Sequence, residues 1–220
     1  MLANIYAAVR QAARRAWTSG GDQKADINVG GDLIVSQGQP EQVEIVRMGK
    51  SWLATIATAN AFTYVNAWPT TRAELLMYNN SPTLSLVVEE AWMVNITSMA
   101  AAQPISLLGQ NCAPGLAAAP TDGTTTIVQT SLSNKNAALT RTGSALFALA
   151  NTAFCLANHW DLLDSTNSPM TTNLGQGIVA RKLKYIIPPT GAFGLAGLAG
   201  TAAGTAIIGV KYHEELLDLG

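Results

Sequence analysis

Apolar and polar residues alternate with period two in several stretches from about residue 25 onward, and that pattern predicts strands rather than helices. In residues 205–215, Ile208, Val210 and Tyr212 share one face while Lys211, His213 and Glu215 share the other. Residues 51–59 present Trp52, Ala54 and Ile56 together, and residues 84–95 present Leu84, Leu86, Val88 and Trp92. Glu90 falls on that same apolar face, and a bulge that turns it outward is the commoner explanation. In residues 177–187, Val179, Leu183, Tyr185 and Ile187 are expected on one face, with Arg181 the exception and Lys182 and Lys184 opposite. Further strands are predicted over 25–36, 42–48, 72–78 and 125–132. Short strands separated by Gly, Pro and Asn turns predict a β-sandwich or barrel.

The turns carry their own chemistry. Pro188-Pro189-Thr190-Gly191 stops a strand, since two prolines remove two ladder donors and Gly191 can take a positive φ. The chain should leave the sheet there, pass through a Gly/Ala/Thr-rich stretch and return as residues 205–215. Residues 97–124 break the alternation and read as a long inserted loop, with a short helix within 98–110 and a loop over 111–123. Residues 142–158 are ambiguous. Leu146, Leu149, Ala150 and Phe154 fit a helical face, whereas Phe154-Cys155-Leu156 fits a buried strand, and a strand near 152–160 is preferred. Residues 161–176 read as a polar loop.

One segment has helical period. Leu2, Ile5, Tyr6, Val9, Ala13 and Trp17 recur at three- and four-residue spacing, and Arg10, Arg14 and Arg15 lie toward the end where cations suit the helix dipole. The predicted organisation is an N-terminal amphipathic arm over 1–20, then a sandwich over 25–217 with its insertion at about 97–124. The segment lacks the continuous apolar run of a secretory signal.

Composition changes the picture in one respect. Charged residues make up only 12% of the 220, where about 25% is usual, and the net charge is −1. A surface so poor in charge is expected to be covered by a partner. The near-neutral balance gives no basic stripe for nucleic acid. Residues 186–210 hold no charge, but their glycines and prolines argue against a membrane helix. Cys112 and Cys155 lack metal-ligand spacing and read as buried thiols, with pairing left open.

The candidate chemistry is thin. Met48-Gly49-Lys50-Ser51 has Glu44 where a phosphate loop needs glycine, and Gly175-Gln176-Gly177-Ile178-Val179-Ala180 precedes a strand rather than a helix. His159 beside Asp161 and Asp164 lacks the ligand count of a metal site, and His213 beside Glu214 and Glu215 reads as a strand end. Ser144 lacks a nucleophile elbow, and the adjacent Glu89 and Glu90 are the one acidic pair in the middle of a strand. No catalytic, cofactor-binding or metal residue is assigned.

The order strand, Pro-Pro-x-Gly, small-residue segment, then a strand ending in Tyr212 and Glu215 resembles the last strands of jelly-roll virion proteins of tailed bacteriophages. The resemblance spans roughly residues 25–217 and rests on turns and strands rather than a signature motif. It implies a mainly β, jelly-roll-like antiparallel sandwich. It also implies a non-enzymatic decoration or cement protein of the capsid surface, a homo-oligomer, as a trimer, bound to the major capsid protein and requiring no cofactor. Candidate interface residues are Leu2, Ile5, Tyr6, Val9 and Trp17 on the arm, and Leu107, Leu108 and Leu116 on the insertion. The alternative is a trimeric sandwich of a phage tail or spike that recognises carbohydrate or a receptor through an exposed Trp68 or Trp160.

Overall fold

The computed structural model describes residues 45–46, 49–97, 103–121, 127–132, 144–168, 177–200 and 204–215. The chain divides into two units, Met1–Met48 and Gly49–Gly220. Within the first, residues 45–46 are helical, where alternation over 42–48 predicted a strand. The arm with Leu2, Ile5, Tyr6, Val9 and Trp17, and the strand predicted at 25–36, lie outside the described residues.

The second unit is mainly β. Its strands are β1 (Ser51–Ile56), β2 (Phe62–Thr63), β3 (Ala73–Asn79), β4 (Ser85–Asn95), β5 (Gln103–Cys112), β6 (Ile127–Ser131), β7 (Ala145–Asn151), β8 (Asp161–Ser168), β9 (Gly177–Ile187), β10 (Ala192–Ala199) and β11 (Thr205–Glu215). They form two sheets, ordered β6-β1-β11-β4-β9, with β2 against β11, and β7-β3-β10-β5-β8. Every pairing between these strands is antiparallel. Leaving aside β2, β6 and β7, the pairings nest: β1 with β11, β3 with β10, β4 with β9 and β5 with β8. The pairs β11–β4 and β10–β5 then join alternate members of the nest into the two sheets.

Alternation dictates what lies between them. Trp52, Ala54 and Ile56 from β1, Leu86, Val88, Ala91 and Met93 from β4, and Ile208, Val210 and Tyr212 from β11 face one core. Leu75 and Met77 from β3, Ile105 and Leu107 from β5, and Phe193 and Leu195 from β10 face the same core from the second sheet. Trp52 stacks on Tyr212 with ring centroids 5.8 Å apart, and the buried Tyr64 hydroxyl donates to Asn95 Oδ1. The result is a β-sandwich whose inner faces are almost wholly apolar.

The outer face of the second sheet is also covered. Leu76, Tyr78, Leu108, Cys112, Ala192 and Ala196 point away from the first core and pack under Phe154, Cys155 and Trp160. Residues 152–160, predicted as a strand, are therefore turns that form a lid, and the strand lies just before them as β7. Strands buried on both faces carry no polar alternation, which is why β5 and β10 were read as an insertion and a small-residue passage. The predicted helix within 98–110 is corrected: 103–110 belongs to β5, between β10 and β8.

Three local readings are corrected as well. Residues 161–168, read as loop, form the edge strand β8, and the Tyr185 hydroxyl donates to Asp161 Oδ2 at 3.0 Å. Burial first, then that carboxylate, pushes the Tyr185 phenol up to about 12. In the Pro188–Gly191 turn it is Thr190, not Gly191, that adopts positive φ, at 63°. Gly191 is favoured for another reason, because a Cβ there would crowd the Pro188 carbonyl oxygen at 3.0 Å. Asn79 ties this turn to the core: its Nδ2 donates to Leu84 O at 2.7 Å and Ile187 O at 2.9 Å.

Candidate interaction surface

The Glu90 anomaly in β4 is resolved by a bulge. The β4–β11 register shifts between Lys211 and Tyr212, and the β4–β9 register shifts between Val88 and Glu90. One residue, Glu89, is extra, so parity flips: Leu86 and Val88 face the core before it, Ala91 and Met93 after it. Glu90 thus turns outward, and so does Trp92, which periodicity had placed with Leu86. β9 makes the matching change at Lys182, whose φ is 59°. Ile178 and Ala180 face inward, leaving Val179 outward beside Arg181.

That flip completes an uncharged row across the outer face of the first sheet, apolar except for the hydroxyl of Thr55. Register places Val128 beside Thr55, Thr55 beside Gly209, Gly209 beside Trp92 and Trp92 beside Val179, one residue from each strand. Val128 is 51% exposed and Val179 41%, while Thr55 and Trp92 are half-buried. Ile207 and Val94 pair two residues further along and widen the patch. Gly209 has no side chain because Trp92 lies on it: a Cβ would come within 2.2 Å of the indole.

A polar row borders the apolar one. Lys211, Glu90 and Arg181 align across β11, β4 and β9, with the apolar Leu53 beside Lys211 on β1, and Arg181 Nε lies 3.7 Å from Glu90 Oε2. The extra residue Glu89 points at β11, where Lys211 Nζ is 2.9 Å from its Oε2 and His213 Nδ1 is 2.8 Å from its Oε1. The His213 hydrogen bond, opposed by burial and aided by Lys211, holds the Glu89 carboxyl below its ordinary value. Each acid of the pair has its own cation, so the pair is neutralised rather than set up as a general acid and base.

A second feature lies at one end of the other sheet. Trp68, 47% exposed, Asn66, Pro104, Ser106, Leu198, Ala199 and Gly200 line an open groove of about 170 Å³. The Trp68 loop is pinned at both ends: Ala199 N donates to Val65 O at 2.9 Å, and Trp160 Nε1 donates to Thr70 O at 3.0 Å. Among the described residues, no charged side chain lines the groove. It suits a neutral ring that stacks on an indole.

The structure separates the remaining sequence candidates. Leu107 and Leu108 are fully buried, one in each core, so their side chains are not available at a surface; Leu116 is 43% exposed. Trp160 is 6% exposed and bonded, which removes it as an exposed recognition aromatic. His159 and Asp164 are exposed, and no metal-holding cluster exists among the described residues. Gly49 makes a turn with φ 72° into β1, and Gly177 opens β9, so neither glycine motif leads to a helix. Ser144 Oγ donates to Glu214 Oε1 at 2.5 Å as a tether between segments. The outer-face row was not read from sequence, although the misplaced Glu90 was its signal. Comparison with protein-family models, curated proteins and solved structures finds no match.

Proposed function

We propose that the protein is a non-enzymatic structural component of a virus particle, a decoration or cement protein that assembles on itself, as a trimer, and on the major capsid protein at the capsid surface. The nested pairing of β1 with β11, β3 with β10, β4 with β9 and β5 with β8 supports a jelly roll, an architecture used by viral capsid proteins and lectins. Fold alone does not carry function. The observation that carries this reading is the uncharged row Val128–Thr55–Gly209–Trp92–Val179 on a chain with only 12% charged residues. A net charge of −1 lets like copies approach without strong repulsion, and burying the row removes apolar area from water at about 25 cal/mol per Å². The test is a double variant, Val128→Asp with Val179→Asp. Both sites are exposed, so the sandwich should stay folded by circular dichroism while assembly is lost. An assembly unchanged by both charges contradicts the use of this face.

The groove at Trp68 favours a second reading, a tail or spike module that recognises a neutral carbohydrate. A glycan array distinguishes them: a binding module gives hits that Trp68→Ala abolishes, and a cement protein gives none.

A further inference from the structure

Cys112 ends β5 and Cys155 sits in the lid of residues 152–160, 43 positions later. Both side chains are buried, and their sulfurs lie 3.5 Å apart. The two segments are already clamped beside them: Gln110 Nε2 donates to Leu156 O at 2.8 Å, and Leu156 N donates to Gln110 Oε1 at 2.5 Å. The packing below is specific too. A Cβ at Gly194 would come within 2.3 Å of Cys155 Sγ, so glycine on β10 is what gives that sulfur its place. Phe154 packs on Tyr78 with centroids 5.5 Å apart, which fixes the lid on the side away from Gln110.

We propose that Cys112 and Cys155 are a covalent cross-linking site, converted to an intramolecular disulfide by a small disulfide oxidant. A disulfide needs sulfurs at about 2.05 Å, a closing movement smaller than the separation of neighbouring strands. The chemistry is thiol–disulfide exchange. With the lid lifted, Cys112 gives its proton to solvent and its thiolate attacks one sulfur of the oxidant RSSR; the S–S bond of RSSR breaks and one RS⁻ leaves. Cys155 then gives up its proton, and its thiolate attacks Cys112 Sγ in the mixed disulfide and expels the second RS⁻. Two thiols are oxidised, RSSR is reduced to two RSH, and the two protons released end on those thiols. Cys112 is the first nucleophile because the hydrogen bond from Cys155 lowers its pKa, while Cys155 is pushed up by that hydrogen bond and by burial. The cross-link fastens the lid to β5, so it closes the second core, built on Leu108, Ala196 and Trp160, against opening.

The full-length reduced protein, incubated with oxidised glutathione and in parallel with the smaller disulfide cystamine, tests this. The expected result is loss of both thiols together, a mass lower by two hydrogens, a linked peptide pair containing Cys112 and Cys155, and a thermal midpoint that rises and falls back on reduction. Cys155→Ser should abolish the cross-link, leaving Cys112 to form at most a mixed disulfide. Gly194→Ala should slow cross-linking by displacing Cys155. The proposal is overturned if both cysteines stay alkylatable after both oxidants. It is overturned equally by glutathione adducts without a link, or by a link between separate chains.

Discussion

At the scale of single residues, Thr190 shows where sequence and structure part. A turn written Pro-Pro-Thr-Gly suggests that glycine takes the left-handed position, yet Thr190 holds φ 63° and Gly191 yields room to a carbonyl. The nested hydrogen bonds Thr190 N to Asn79 O at 3.0 Å and Asn79 N to Gly191 O at 2.9 Å fix this choice, and they are made across more than a hundred residues of chain. A β-branched residue is costly there, by about 1–2 kcal/mol. Thr190→Asn, which tolerates the left-handed region, should therefore raise stability by about 1 kcal/mol in urea unfolding; a loss of stability contradicts the assignment.

Glu89 makes a pH-dependent contribution of known sign. Its folded-state pKa is lowered, by the His213 hydrogen bond first, so its stabilisation is present above its ordinary value near 4.5 and is lost as pH falls through the lower folded value. The thermal midpoint of the wild type should thus drop on acidification below about pH 4.5, and Glu89→Gln should start lower at neutral pH and lose less. An identical acid limb in both proteins contradicts this.

At the scale of elements, strands with one wet face were legible and strands with two dry faces were not. β1, β4 and β11 alternate because one side meets the sandwich core and the other faces outward, and their bounds emerged from the pattern within a few residues. β10, Ala192–Ala199, is small and apolar on both sides because Phe193 and Leu195 face one core while Ala192 and Ala196 face the other. β5 is hidden in the same way: its Leu107 and Leu108, interface candidates by sequence, are core in opposite directions. The bulge at Glu89 was half legible: the misplaced acid announced it, but periodicity alone does not say that the faces stay exchanged up to Trp92. Leu107→Ala discriminates between the two assignments. A core leucine costs about 2–5 kcal/mol on truncation, whereas a surface one costs a few tenths. Chemical denaturation reads the difference, and a loss under about 0.5 kcal/mol contradicts the buried placement.

At the scale of the whole molecule, the charge deficit noted in composition has a place on the surface. Two inner sheet faces and the lid over the second sheet account for most of the large apolar residues. Among the described residues, the outer row from Val128 to Val179 is a further uncharged run, beside a polar row whose acids and bases cancel. The groove beneath Trp68 lies at the other sheet, and sequence points to that tryptophan only as one of two. Deleting residues 1–19 should leave the sandwich folded while lowering occupancy on capsids; equal occupancy contradicts a docking role for the arm.

The central claim is that this surface serves assembly of the chain with itself. The native mass of the purified protein by light scattering, over a dilution series, tests it most directly. The account predicts a stable species near three times 23.0 kDa that resists dilution. A particle of 23.0 kDa at every concentration contradicts it.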